Sequence, residues 1–209
     1  MLRDSAYWDE FYSLEHDEIK EPSKFAKFIF NNFLRNKNKA SLIEFGCGNG
    51  RDSLYFNVKG IDVVAIDGSH IAIESLQKQN QKASWICADF TAPLNLKDKF
   101  DICYSRFTLH AIDDIAELGL IKNVKNLLKP SGLFVVEARS INDDKFGVGK
   151  AVGDREFISD GHYRRFIDPD IFKSNLIANG FKVISIEQSN QFAPTPGQNC
   201  VCIRVIASL

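Results

Sequence analysis

The 209-residue sequence predicts a single α/β domain with a seven-stranded, mostly parallel sheet, helices on both faces and a C-terminal antiparallel strand hairpin. Short, nearly continuous apolar runs alternate with helix-like segments, which is typical of parallel strands buried on both faces. A glycine-rich loop directly follows the first run. The last two runs are joined only by a loop, and strands joined without a crossover helix pair antiparallel. The runs cover residues 41–45, 62–67, 84–89, 100–105, 132–138, 181–187 and 199–207.

Two helices are marked by their terminal residues. Residues 21–34 carry Pro22 near the start and apolar side chains at helical spacing, which predicts an amphipathic helix packed on the sheet. Near the C-terminus, Asp168 is placed as an N-cap, Pro169 stands at the first helical position and Gly180 marks the end. This second helix leads into the terminal hairpin.

Composition excludes several classes of function. Charged residues make up 25% of the chain and the net charge is −1, which argues against a general affinity for nucleic acid or anionic membrane. The five cysteines contain no C-x-x-C pair, so they are expected to be buried thiols in a reducing compartment rather than disulfides or metal ligands. The N-terminus lacks the pattern of a secretion signal, and no apolar stretch approaches the ~20 residues of a membrane span. A cytoplasmic protein is expected.

Three glycines at alternate positions follow the first predicted strand. Gly46, Gly48 and Gly50 come after Phe45, at the carboxyl end of the strand, where open parallel sheets bind their ligands. Glycine permits a sharp turn and lets a ligand approach the backbone. Arg51 stands where the dinucleotide-binding fingerprint has its third glycine, which argues against a nucleotide-dependent oxidoreductase. A purely structural turn is the alternative.

The next two strand ends carry acids. Asp67 ends the second predicted strand, about where a carboxylate would accept hydrogen bonds from both hydroxyls of a ribose. Asp89 and Phe90 end the third, where a carboxylate can bind an exocyclic amine and an aromatic ring can face a purine. Either acid could instead cap the segment that follows it. Together with the glycine loop, these strand ends predict one nucleoside-shaped site.

The segments "EFGCGNG", "VVAID", "CADF" and "FDICYSRFTLHAI", with the terminal hairpin, resemble a class I S-adenosylmethionine-dependent methyltransferase over nearly the whole chain. The resemblance implies a Rossmann-like fold, with S-adenosyl-L-methionine as donor and S-adenosyl-L-homocysteine as product. It also implies that the glycine loop lies under the methionine part and that Ser105 lines the reactive side. The implied cofactor-binding residues are Tyr12, Gly46, Cys47, Gly48, Asp67, Gly68, Asp89, Phe90 and Ser105.

Residues for the methyl acceptor are sought near the expected methyl group, because transfer from a sulfonium depends mainly on alignment of the nucleophile. His110 lies just past the fourth predicted strand and could remove a proton from an amine or hydroxyl, although it could also pack in a helix. Glu137 and Arg139 lie at the end of the fifth strand, facing the expected pocket. His110 and Glu137 are the predicted catalytic residues.

Residues 139–167 form a long polar segment that is predicted to be a substrate-binding loop insertion. Its "HYRRF" run brings together Tyr163, Arg164 and Arg165, and such side chains suit the binding of a phosphate or carboxylate. With Arg139 they are the predicted anion-binding residues. A solvated basic turn, paired with neighbouring acids, is the alternative.

Residues 1–36 are predicted to form an N-terminal helical cap. Tyr7, Trp8, Phe11 and Tyr12 fall on one face of a helix. They could fold over the site and exclude water, with Tyr7 toward the substrate, or they could pack as ordinary core.

The segment "YSRFTLHAI" is similar to the "YSRDAILHL" type of segment in phosphoethanolamine N-methyltransferases, with Phe107 in place of the aspartate. The overall layout resembles the small methyltransferases of bacterial capsule and surface-polysaccharide clusters. These resemblances imply N-methylation of a small phosphorylated amine such as ethanolamine phosphate. The alternatives are O-methylation of a sugar or nucleotide-sugar, and a regulatory protein that binds the cofactor without catalysis.

Overall fold

The computed structural model describes residues 5–14, 21–79 and 82–209. Its α-helices are α1 (Ser5–Leu14), α2 (Lys24–Ile29), α3 (Arg51–Val58), α4 (His70–Gln79), α5 (Asp114–Leu127) and α6 (Pro169–Ala178). A π-helical turn, Phe30–Leu34, extends α2, and a 3-10 turn covers Leu109–Ala111. The strands are β1 (Ser41–Phe45), β2 (Asp62–Asp67), β3 (Ser84–Cys87), β4 (Phe100–Arg106), β5 (Leu128–Arg139), β6 (Lys150–Gly153), β7 (Glu156–Ser159), β8 (His162–Arg165), β9 (Lys182–Ser189) and β10 (Cys202–Ser208).

The main sheet has seven strands in the order β3-β2-β1-β4-β5-β10-β9. The pairings from β3 to β5 are parallel, while β10 pairs antiparallel with both β5 and β9. The predicted fold class is therefore confirmed. The strand order reverses between β1 and β4, and ligands of open α/β sheets bind beyond the carboxyl ends of the strands at such a point.

Helices cover both faces of this sheet, as the apolar runs predict. Leu42 packs with α2, α3 and α4 on one face, whereas its neighbour Ile43 packs with α5 and α6 on the other. Helix α2 begins at the predicted place, where Ser23 caps it by accepting from the Ala26 N–H at 2.9 Å. Because Phe25 in α2 is fully buried in this core, α2 belongs to the body of the domain. Within the predicted 1–36 cap, only α1 lies over the site described below; residues 1–4 and 15–20 lie outside the described residues.

The segment predicted as a substrate-binding loop is largely ordered structure. It contains a second, three-stranded antiparallel sheet in the order β6-β7-β8. Phe146, Phe157 and Phe166 pack edge to face beneath it, with ring centroids 5.4–6.0 Å apart. An aromatic cluster of this kind anchors the small sheet to the domain, and the expectation of an irregular loop is wrong for residues 150–165.

The structure contradicts the substrate-binding role expected of Arg165. Its side chain is fully buried and donates to the Glu117 carboxylate at 2.6 Å and to the Asp114 carboxylate. It also donates to the Leu109 carbonyl at 3.3 Å. Arg165 therefore ties β8 to the start of α5 and does not reach a ligand.

Arg165→Met is expected to lower the free energy of unfolding by about 3–5 kcal/mol, because it leaves the buried Glu117 carboxylate without its cation. Arg155→Met is the matched control. Arg155 pairs with Asp114, whose side chain is half-exposed, so this substitution should lower the free energy of unfolding by only about 0–1 kcal/mol. Urea unfolding of both variants measures the difference. Equal, small losses would mean that the buried pair does not anchor β8.

Candidate active site

The glycine loop after β1 depends on the conformational freedom of its glycines, among them Gly46 and Gly48. Gly46 and Gly48 have φ angles of 72° and 55°, which L side chains rarely adopt. A Cβ at Gly46 would lie 2.7 Å from the Thr108 hydroxyl oxygen, and a Cβ at Gly48 would collide with the hydroxyl of Tyr12. The loop is thus packed closely between the end of β4 and helix α1.

Asp67 joins the glycine loop to the end of β2. Its Oδ2 accepts a hydrogen bond from the Gly48 N–H at 2.8 Å, and its Oδ1 accepts from the Ser69 N–H at 2.9 Å. Burial raises the pKa of Asp67, while these backbone donors oppose the rise. Each oxygen keeps a lone pair, and additional hydroxyl donors such as those of a ribose would stabilise the charged form.

The residues at the next strand ends differ from one another. Phe90 is buried beside Phe45, with ring centroids 6.4 Å apart. Asp89 accepts from the N–H and hydroxyl of Thr91, at 2.9 and 2.5 Å, so it closes the turn after β3. Ser105 is fully buried on β4, and its Oγ has no hydrogen-bond partner among the described residues. The cofactor-binding roles expected of Asp89 and Ser105 stay predictions.

Helix α1 lies over this edge of the sheet and is fastened to the start of α4. The Asp9 carboxylate accepts from the Ser69 hydroxyl at 2.6 Å and lies 3.1 Å from Nδ1 of His70. Tyr7 stacks on His162 with ring centroids 4.3 Å apart. The aromatic face of α1 therefore covers the site. Of the two alternatives that the sequence left open, this is the cover over the site and not ordinary core packing.

Two adjoining cavities open beneath α1. The first, here called the donor cavity, has a volume of about 70 Å³ and is lined by Trp8, Tyr12, Gly46, Asp67, Gly68, Ser69, Phe90, Phe107, Thr108 and Ala111. The second, the acceptor cavity, has a volume of about 360 Å³ and is lined by Trp8, Phe11, Tyr12, Glu44, Gly46, Cys47, Gly48, Asn49, Arg51, Asp52, Arg106, Phe107, His110, Arg139 and Arg164. The two share Trp8, Tyr12, Gly46 and Phe107. Seven of the nine predicted cofactor-binding residues line the donor or acceptor cavity, and only Asp89 and Ser105 do not.

Two buried carboxyls line the acceptor cavity. Asp52 accepts from the Ser23 N–H and the Tyr104 hydroxyl, both at 2.8 Å. Glu44 accepts from the Ser53 hydroxyl at 2.5 Å. Burial raises the pKa of Glu44 well above its usual value, and the nearby Asp52 charge adds to the rise. These carboxyls give the cavity hydrogen-bond acceptors, and Arg51, whose Nε lies 3.8 Å from Asp52, balances part of their charge.

Several arginines also line the acceptor cavity, but most of their charge is balanced. Glu137 accepts from Arg106 at 2.9 Å and from Arg204 at 2.7 Å, one arginine on each carboxylate oxygen. Arg139 donates to the buried Asp143 at 2.7 Å. For Arg164, no carboxylate of the described residues lies within ion-pairing distance, and its buried Nε lacks a hydrogen-bond partner among them.

These ion pairs contradict the catalytic role expected of Glu137. The carboxylate is buried, both of its oxygens are occupied by arginines, and it does not line either cavity. Tyr163 is likewise buried and outside both linings, so it cannot share an anion with Arg164 there. Of the predicted anion-binding residues, Arg139 and Arg164 are the two that the fold brings to the acceptor cavity.

His110 lies in the 3-10 turn after β4, at the wall of the acceptor cavity. Its side chain is buried, and its Nδ1 has no hydrogen-bond partner among the described residues. Burial and then the positive charges of Arg164 and Arg139 lower the pKa of His110 well below 6.5. The imidazole is therefore neutral at physiological pH and able to accept a proton.

Sequence reasoning missed several lining residues. Phe107 has a φ of 55° and lies against the Arg106 guanidinium, 4.3 Å from the ring centroid, between the two cavities. Arg51 and Arg106 also line the acceptor cavity. The sequence feature that could have identified Phe107 as a lining residue is its position at a strand end, two residues after Ser105. The "YSRDAILHL" segment of phosphoethanolamine N-methyltransferases has an aspartate at this position.

The profile of the protein family described as "Methyltransferase domain" matches residues 14–186. The chain belongs to this methyltransferase family. The specific likeness to phosphoethanolamine or capsule methyltransferases has no counterpart in this match.

Individual relatives agree with the family. The methyltransferase is 28% identical over 107 residues to the Haemophilus influenzae protein named "Probable S-adenosyl-L-methionine-dependent methyltransferase TehB", covering 49% of this chain and 37% of that protein. It is 29% identical over 100 residues to the malonyl-[acyl-carrier protein] O-methyltransferase of Pseudescherichia vulneris, covering 47% and 39%. The chain thus spans less than two fifths of the length of these two relatives.

The fold of the methyltransferase is also found in solved structures. The glycopeptide N-methyltransferase MtfA, crystallised with sinefungin, superposes with a TM-score of 0.69 at 17% identity, covering 92% of this chain and 96% of that one. Among the described residues, no helix is both long and apolar enough to cross a membrane. The same residues contain no cluster of three or more side chains suited to holding a metal ion.

The neutral, buried state of His110 predicts a pH dependence of stability. An unfolded histidine titrates near ~6.5, and the folded one titrates well below that, so the unfolded state takes up more protons between the two values. The contribution of the neutral His110 to the free energy of unfolding is constant above pH ~6.5 and is lost as the pH falls below that value. Between pH 7.5 and 5.5 the wild type should lose up to about 1.4 kcal/mol of unfolding free energy that His110→Gln does not lose. Urea unfolding at both pH values tests this, and parallel losses in the two proteins would contradict it.

Proposed function

We propose that the protein transfers the methyl group of S-adenosyl-L-methionine to a small anionic acceptor, with N-methylation of a phosphorylated amine such as ethanolamine phosphate as the leading reaction. The observation that carries the proposal is the pair of adjoining cavities at the switch point of the sheet. One is built around Asp67 and Phe90, and the other ends at His110 and Arg164. A donor and an acceptor held in these two cavities would meet near Phe107.

The residues that line the donor cavity offer the types of contact that an adenosine group makes. Asp67 offers lone pairs to ribose hydroxyls, and the side chain of Phe90 forms an apolar wall. Gly46 and Gly48 present bare backbone, where a Cβ would not fit. The buried carboxyls Glu44 and Asp52, at the other side of the glycine loop, face the part of the acceptor cavity that the amino group of a methionine moiety would enter.

S-adenosyl-L-methionine supplies an activated methyl group on a sulfonium, so the protein has to align the nucleophile and exclude water. Such alignment contributes on the order of 7–11 kcal/mol in favourable cases. Trp8 and Tyr12 of α1 line both cavities, and their rings lie 6.1 Å apart. These rings can exclude water and give the sulfonium an aromatic neighbour, worth roughly 0.5–2 kcal/mol.

The charge balance of the acceptor cavity supports an anionic acceptor. Arg106 is paired with Glu137 and Arg139 with Asp143. Arg164 has no comparable partner among the described residues, and burial lowers the pKa of its guanidinium. A partly buried arginine without a counter-ion is costly, and a bound phosphate or carboxylate would restore its balance with forked hydrogen bonds.

The surroundings of His110 support an amine. Burial and then the positive charges of Arg164 and Arg139 keep this imidazole neutral, and the same surroundings disfavour an ammonium ion beside it, so they favour a bound amine in its nucleophilic, uncharged form. His110 can receive the proton that the amine gives up. O-methylation of a sugar or nucleotide-sugar is the second candidate, because the same imidazole could take a proton from a hydroxyl.

A cytoplasmic location and the absence of nucleic acid and membrane partners stay predictions from the sequence. So does a role in capsule or surface-polysaccharide synthesis.

Asp67→Asn should weaken the binding of S-adenosyl-L-homocysteine by about 10- to 100-fold, because hydrogen bonds to a charged acceptor contribute roughly 1.5–3 kcal/mol. Asp62→Asn is the control, since Asp62 lies exposed at the opposite end of the same strand. Isothermal calorimetry gives the affinities, and thermal unfolding shows whether each variant is folded. An affinity within twofold of the wild type would refute the ribose-binding role of Asp67.

The acceptor class is tested by mass spectrometry of products from ethanolamine phosphate, ethanolamine and a nucleotide-sugar. Methylation of ethanolamine phosphate with a KM at least about tenfold below that of ethanolamine is expected, since a charge-assisted contact to Arg164 contributes about 1.5–3 kcal/mol. Arg164→Gln should abolish that difference and leave donor affinity unchanged. Arg155→Gln is the control, because Arg155 lies outside both cavities. A methylated sugar with no methylated amine would reject N-methylation.

A further inference from the structure

A third cavity lies on the far side of Arg164, between the small sheet and α1. This distal cavity has a volume of about 370 Å³, close to that of the acceptor cavity, and neither the donor nor the acceptor proposed above occupies it. Its lining includes Tyr7, Lys145, Val148, Phe157, Arg164 and Phe166. A cavity of this size is at the lower end of those that hold small ligands, roughly 300–1,000 Å³.

The distal cavity adjoins the acceptor cavity at Arg164, which lines both of them. Helix α1 roofs both as well, with Tyr7 over the distal cavity and Trp8 and Phe11 over the acceptor cavity. A molecule whose anionic group is bound by Arg164 could therefore extend in both directions from that group.

The two directions differ in chemistry. Toward the sheet edge, the anion faces His110 and the methyl donor. Away from it lie the rings of Phe157 and Phe166, whose centroids are 6.0 Å apart, and the half-exposed Val148. Lys145 and Asp160 place opposite charges in the same lining, so they add no net charge. The distal cavity thus suits an uncharged aromatic or other apolar group.

We propose that the distal cavity is a second acceptor subsite, which binds an aromatic or apolar group joined to the anion that Arg164 holds. The proposal rests on the proposed function, because it takes the anion at Arg164 from there. The acceptor is then a molecule in three parts, with an amine beside His110, a phosphate at Arg164 and an apolar group between Val148 and Phe166. A phosphodiester of an amino alcohol has this arrangement, and ethanolamine phosphate is its minimal part.

Binding tests the subsite without any turnover. In the presence of saturating S-adenosyl-L-homocysteine, phenyl phosphate should bind at least about tenfold more tightly than methyl phosphate, since burial of a ring of this size exceeds the apolar area of a methyl group several-fold. Val148→Asp should remove that preference. Val152→Asp is the matched control, because Val152 is a similarly exposed valine four residues further along the chain, in β6, and does not line the cavity. Arg164→Gln should weaken both ligands equally.

Turnover separates the subsite from the proposed function. The phenyl and methyl diesters of ethanolamine phosphate carry the same charge and differ only in the distal group, and the phenyl diester should have a kcat/KM about tenfold higher. A Val148-dependent preference for phenyl phosphate without methylation of any amine would support the subsite and reject the amine. Methylation of both diesters at equal rates, or equal binding of the two phosphates, would reject the subsite and leave the proposed function standing.

Self-association is a further outcome to be distinguished. If Val148→Asp converts a dimer to a monomer in light scattering and leaves the affinity for phenyl phosphate unchanged, the apolar surface is a contact between copies of the chain. That result would overturn the subsite.

Discussion

The hydrogen bond from the Gly48 N–H to Asp67 is the interaction on which the geometry of the site depends. It joins the loop after β1 to the end of β2, the two neighbouring strands that form one side of the switch point. Because Gly48 has no Cβ, the hydroxyl of Tyr12 can lie directly on the loop, and α1 closes over both cavities. The position of the cap therefore follows from a backbone conformation set a few residues after β1.

Charge balance gives the arginines around the acceptor cavity different functions. Arg106 and Arg204 hold Glu137 from two strands of the main sheet, and a buried carboxylate with two such partners is a structural element. Arg165 has the same structural use between β8 and α5. Arg164 is the neighbour of Arg165 in β8, and successive side chains of a strand point to opposite sides. One arginine therefore enters the protein interior while the next enters the cavity.

The sequence alone predicts the main sheet but does not predict the small one. The main sheet is predictable because central strands such as β1 and β4 bury nearly continuous apolar runs, whereas β6, β7 and β8 have only four residues each and β6 is exposed throughout. Without the strand, the alternation that separates Arg164 from Arg165 is invisible, and both arginines were expected to bind substrate. The partners of Glu137 were hidden for a similar reason, since Arg106 and Arg204 are 31 and 67 residues away along the chain. Long-range ion pairs leave no local pattern. The caps at Asp113 and Asp168 do leave one, because a cap involves only residues two or three positions apart.

The environment of His110 bears on which nucleophile the site can use. A hydroxyl loses its proton only near the transition state and needs a base of substantial strength, but burial and then the positive charges of Arg164 and Arg139 make this imidazole a weaker base than an ordinary histidine. An amine needs no base once it is uncharged, because its lone pair is already available. The same positive charges lower the pKa of a bound ammonium and so increase the fraction of free amine. One electrostatic feature therefore impairs catalysis of O-methylation and assists N-methylation, and an anion bound at Arg164 would moderate both effects without reversing them.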